Sequence, residues 1–157
     1  MTTITPRGEK AKELFLSGYN CSQSVVGAYA DVIGLPFDTL MKISLPFGGG
    51  FGRMREVCGT FSGAMFVLGA LEGDTEHDPA VKAAVYADVQ ALAIRFKEER
   101  SSLICREILG FTKGEETDPL HPGERNEAFY HHRPCGDICA LTASLLEELL
   151  KEKSLLA

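Results

Sequence analysis

Basic residues are in short supply in this chain. Sixteen lysines and arginines against 22 aspartates and glutamates leave a formal net charge of −6 and a pI near 5.2. Nucleic acid and anionic membrane surfaces both call for a positive footprint, so neither is an expected partner. Long apolar runs are missing too. The longest uncharged one, GAMFVLGAL at 63–71, falls well short of the roughly 20 residues that cross a bilayer. The opening residues, MTTITPRGEKAKELFLSGY, lack the apolar core and small-residue cleavage site of a secretory signal. The expectation is a cytoplasmic protein without direct membrane insertion.

Four motifs are absent as well. No pair of cysteines forms the C-x-x-C of a thioredoxin-like site or zinc ribbon, and no C-x-x-C-H is present for covalent haem attachment. The glycine run GGGFGR at 48–53 matches neither G-x-x-x-x-G-K-[ST] nor G-x-G-x-x-G after a strand, which argues against nucleotide binding. Yet five cysteines are present: Cys21, Cys58, Cys105, Cys135 and Cys139. An odd number without an export signal favours reduced thiols, catalysis or metal binding over a set of structural disulfides. Because they are dispersed, folding must assemble any site they share.

What the chain does contain is helical periodicity, with no strand-like alternation, internal repeat or low-complexity stretch beside it. Its 157 residues suit one domain, 1–157, able to bury a real core. A first helix runs to about Ser17, and a second is capped by Asn20 and ends near Gly34. A third is capped by Asp38 and stopped at Pro46. A fourth follows the glycine loop, from about Val57 to Leu71. In the fifth, Asp78 is the N-cap, Pro79 takes the first position, and Val81, Val85, Val89, Leu92 and Phe96 share a face. SSLICREILG, closed by Gly110, and CGDICALTASLLEELLKEK complete the set. Phe111 to Pro134 reads as a long excursion between helices. The predicted fold is all-α, a single compact bundle of about six to seven helices.

Cys58 stands at or near the start of the fourth helix, where unpaired N–H groups and the helix dipole favour a thiolate, so its pKa is expected below the usual value of about 8.5. A buried cysteine serving as a small hydrophobe is the alternative. Gly59 and Gly63, four apart, share a helical face that admits another backbone. The glycine-loop amides can donate to a thiolate or to cluster sulfides, or simply make a sharp turn before the helix. Cys21 and Cys135 also fall near helix N-termini, and Cys135 and Cys139 are placed to face the same way. His77, His121, His131 and His132 lie in loop-like sequence and are left outside the site.

NCSQSVV at 20–26, CGTFSG at 58–63, CREILG at 105–110 and CGDICALTASLLEELL at 135–150 occur in the order and context by which the chain resembles the C_GCAxxG_C_C family of redox-active proteins. Thr60 stands where the family motif favours alanine, and Cys139 is an additional cysteine. The resemblance implies a small helical protein whose site is Cys21, Cys58, Cys105 and Cys135, related to a domain found with haem-bearing segments in some cytochromes. Cys58 is taken as the central thiolate, the other three as partners or ligands, and Gly59 and Gly63 as close-approach backbone. The four sulfurs would either ligate an iron–sulfur cluster for electron transfer or cycle between dithiol and disulfide. Tetrahedral zinc in a binding or regulatory module is the alternative, and an interaction protein with inert buried cysteines is a third reading. The redox partner is unspecified, and the site forms either within one chain or across a homodimer.

Overall fold

The structure, a computed structural model, describes residues 1–110 and 119–157. Helix α1 spans Pro6–Leu16, α2 Cys21–Gly27, α3 Ala30–Ile33 and α4 Phe37–Ser44, followed by a 3-10 turn at Leu45–Phe47. Beyond the glycine loop come α5 (Gly59–Glu72), α6 (Pro79–Arg100), α7 (Cys105–Leu109), α8 (Glu127–His132) and α9 (Cys135–Glu152). The all-α expectation holds among the described residues. Six of these helices have seven or more residues, matching the predicted number, and the short α3, α7 and α8 add to them.

Helix α9 is the axis of the packing, with α1, α2, α5 and α6 around it. Ile138, Leu141, Leu145, Leu146, Leu149 and Leu150 bury its sides, and α5 contributes Phe61, Ala64, Val67 and Leu68 to the same core. A helix apolar around its whole circumference, as α5 nearly is, has to be enclosed on all sides. Of the predicted α6 face, Leu92 and Phe96 are fully buried and Val81, Val85 and Val89 half-buried. Asp78 caps α6 through the Ala80 amide, and Asn20 caps α2 in a capping box with Gln23, both as the sequence suggests.

Other boundaries move for tertiary reasons. The helix expected from Asn20 to Gly34 breaks at Tyr29, which leaves helical geometry so that its ring is buried and its hydroxyl donates to the Ala143 carbonyl of α9 at 2.6 Å. Asp38 does not cap α4; Pro36 holds that position, and Asp38 sits in the first turn. The fourth predicted helix begins at Gly59 because Val57 pairs with Ile104 in an isolated antiparallel bridge. Of the excursion from Phe111 to Pro134, 111–118 lie outside the described residues. The remainder is not wholly irregular, since α8, capped by Asn126, includes His131 and His132. Arg125 joins this segment to α1: its guanidinium donates to the Phe15 and Tyr19 carbonyls and lies over the Phe15 ring.

Candidate functional site

Four helices begin at the same place. Cys21 is the first residue of α2, Cys105 of α7 and Cys135 of α9, while Cys58 is the N-cap of α5. All four line one cavity of about 310 Å³. Cys139, one turn further along α9, is fully buried and does not line it; its thiol points to the Cys21 carbonyl at 3.9 Å. Apolar walls come from Leu45, Ile108, Leu120 and Ile138, and Arg53, Arg55, Arg125 and Arg133 supply positive charge. His77 and His121 do not line the cavity.

Local structure accounts for each placement. The capping box at Asn20 orients Cys21, and the Cys58 amide donates to the Leu103 carbonyl at 2.7 Å, joining the α5 start to the strand-like residues before α7. The Cys105 amide donates to the Glu56 carbonyl at 2.6 Å, a second stitch between the same segments. Gly59 lies directly under the Cys21 sulfur, where any Cβ would collide with Sγ, and a Cβ at Gly63 would come within 2.9 Å of the Ser22 carbonyl. The glycine face of α5 therefore packs onto the backbone of α2, as its spacing suggests.

The glycine loop is more unusual than a sharp turn. Gly49, Gly50, Phe51, Gly52 and Arg53 all have positive φ, forming a left-handed turn that few side chains tolerate. It brings the Gly49 amide near the Cys21 sulfur, where it opposes the rise in that thiol's pKa. Thr60, where alanine is the family preference, also has a use. Its hydroxyl accepts from Thr142 at 2.9 Å and lies 3.2 Å from the Cys58 sulfur, so its own proton is available to that sulfur.

The expected low pKa of Cys58 is not what this environment produces. Burial pushes the thiol up to about 12, and the neighbouring Cys21 pushes in the same direction, against the Thr60 hydroxyl and amide. Cys135 is likewise pushed up to about 12, by burial and then by Cys21 and Cys105, with Arg133 and Arg55 opposing. Burial also raises Cys21, against the Gly49 amide, and raises Cys139 well above its ordinary value. A helix N-terminus offers a partly buried anion about 0.3–2 kcal/mol, less than desolvation costs a fully enclosed thiolate. In the metal-free protein these thiols are neutral at pH 7.

Cys58 is therefore expected to alkylate at pH 7 at least tenfold more slowly than free cysteine, as measured by iodoacetamide labelling and peptide mass analysis; an equal or faster rate would restore the activated thiolate. Stability should follow the same protons. A thiol with a raised folded pKa binds its proton more tightly in the native state than in the unfolded chain, where it titrates near 8.5. That contribution is complete below about pH 8.5 and lost as pH rises toward about 12. Denaturant melts of metal-free protein across this range would show the decline.

The donor chemistry suits a thiolate-ligated centre: four sulfurs, a loop amide and positive charge around one cavity. As they stand, no three or more His, Cys, Asp or Glu side chains among the described residues are gathered closely enough to hold a single metal ion. No described helix is long and apolar enough to cross a membrane.

Together, fold and site define a small all-α protein whose helix N-termini gather four free cysteines around one cavity. The chain belongs to the C_GCAxxG_C_C family, whose model, described as "Putative redox-active protein (C_GCAxxG_C_C)", matches residues 19–149. Nothing significantly similar is found among curated proteins or solved structures. Two features escaped the sequence reading. Cys105 also opens a helix, a position signalled only by Ser102, whose hydroxyl accepts the Ile104 amide. The cavity arginines include Arg53 and Arg55, just past the glycine run, where attention to glycine alone overlooks them.

Proposed function

We propose that this cavity is a redox centre in which Cys21, Cys58, Cys105 and Cys135 ligate an iron–sulfur cluster. The observation that carries this reading is the convergence of those four cysteines, and not Cys139, on one cavity of about 310 Å³. Zinc draws four sulfurs to about 2.3 Å from a single point, whereas these four cysteines line a cavity of about 310 Å³, room enough for a multi-atom group. A bound cluster supplies one-electron transfer. The protein's own residues would hold it through the four sulfurs, offer the Gly49 amide and cavity arginines to its negative charge, and exclude water with Leu45, Ile108, Leu120 and Ile138. One chain provides all four thiols, so the proposal requires no second copy. The electron partner would be a separate redox protein in the cytoplasm.

Ligation has to displace protons, because a coordinating thiol is deprotonated whatever its pKa in the metal-free state. Anaerobic reconstitution with ferric iron, sulfide and excess thiol should therefore release protons and produce visible absorption, with iron and acid-labile sulfide in equal amounts. Tight zinc binding in a colourless protein would overturn the redox reading. Dithiol–disulfide cycling is the second reading, favoured by the packing of the Cys21 sulfur onto Gly59, next to Cys58. Its mark would be reversible loss of two titratable thiols without any metal.

A further inference from the structure

We propose that Arg55 is a positioning residue: its guanidinium is the fixed counter-charge of the Cys105 sulfur and through it sets the potential of the redox centre. This deepens the redox reading above and rests on it. Arg55 lines the cavity and is only 7% exposed. A guanidinium so enclosed acts through a low-dielectric surrounding on the groups it faces. Its Nη1 donates to the Cys105 Sγ at 3.7 Å.

The backbone holds this pair in place. Arg55 has φ of 59°, in the same left-handed region as Phe51 and Arg53 earlier in the loop. Three main-chain hydrogen bonds fix the geometry: the Arg55 amide to the Gly49 carbonyl at 3.1 Å, the Arg106 amide to the Arg55 carbonyl at 3.2 Å, and the Cys105 amide to the Glu56 carbonyl at 2.6 Å. They tie 55–56 to 105–106, so guanidinium and sulfur are held face to face by the backbone rather than by two flexible side chains. The same charge also reaches Cys135.

Reduction adds one electron, and with it one unit of negative charge, to the sulfur-ligated centre. No bond to Arg55 forms or breaks, and the guanidinium keeps its protons. A fixed cation favours the more negative, reduced state and so raises the potential.

Two measurements on the full chain test this. In reconstituted protein titrated anaerobically with dithionite, Arg55→Gln should make reduction about tenfold less favourable, a shift of about −59 mV for one electron, and Arg55→Lys should recover most of it. In metal-free protein, Cys105 should react with anionic iodoacetate faster, relative to neutral iodoacetamide, than free cysteine does. Both reagents attack the same thiolate, so their ratio reports local charge and not thiol pKa. The ratio should fall severalfold in Arg55→Gln and persist in Arg55→Lys. An unchanged midpoint in Arg55→Gln would overturn the proposal, as would a Lys variant no different from Gln. Should Arg55→Gln not fold, a wild-type ratio equal to that of free cysteine overturns it without any variant. A protein that takes up no cluster defeats the redox reading, while the reagent ratio still decides whether Arg55 is the counter-charge of Cys105.

Discussion

Serine in place of any one of Cys21, Cys58, Cys105 or Cys135 will abolish retention of the proposed cluster, whereas Cys139→Ser will leave it nearly intact. Ligands to one centre act as a unit, so losing one thiolate opens the centre rather than weakening it by a quarter. A serine hydroxyl is a harder donor than thiolate and a poor replacement. Cys139 stands apart because it lies outside the cavity with its thiol toward the Cys21 carbonyl, a contact that a serine hydroxyl can also make. Iron, sulfide and visible absorption of the five variants, reconstituted side by side, give the answer. Loss in Cys139→Ser equal to that in the other four would make the site five-membered. Full retention in all four cavity variants would leave only the reading in which the cysteines are inert.

Gly63→Leu will lower stability by about 1–3 kcal/mol although leucine is the better helix former by nearly 1 kcal/mol. The first added carbon already comes within 2.9 Å of the Ser22 carbonyl and 3.4 Å of its Cα, and these are backbone atoms that cannot rotate aside. The α5–α2 contact has to open, and Cys21 moves with α2. For a chain of this size each kcal/mol shifts the melting temperature by roughly 2–4 °C, so calorimetry should show a clear fall. A raised melting temperature would mean that this face is not tightly packed. Gly59→Ala separates the site from the fold: its Cβ meets the Cys21 sulfur and the Phe47 carbonyl, so loading of the proposed cluster should suffer more than a single methyl elsewhere on α5 would cause.

The two results bear on one architectural fact. The glycines let α5 approach α2, and that approach sets the Cys21 sulfur beside the start of α5, where Cys58 is the cap. On the other side, the antiparallel stitch between 55–58 and 103–106 brings Cys105 and Arg55 to the same cavity. Packing and chemistry share these residues, so a change at Gly59 cannot be read as one without measuring the other.

Much of this was written locally in the chain. The helices, the caps at Asn20 and Asp78, the α6 face and the close-approach role of Gly59 and Gly63 follow from short-range spacing, because capping and periodicity depend on residues within a few positions of one another. Where sequence reading went astray, a distant partner decided. Tyr29 interrupts a continuous helical pattern to reach Ala143, far along the chain, and Val57 leaves the predicted helix to pair with Ile104. The Cys58 pKa followed the same rule: the helix start was legible and argued for a low value, but enclosure by residues remote in sequence raised it to about 12. The sequence by itself determined which residues carry sulfur and that Cys21, Cys58 and Cys135 lie near helix openings, though not that Cys105 is a fourth. Only the tertiary structure decided that four of those openings meet at one cavity while Cys139 stays outside it, and that Arg55 faces Cys105, because cavity, burial and counter-charge are properties of residues brought together across the whole chain.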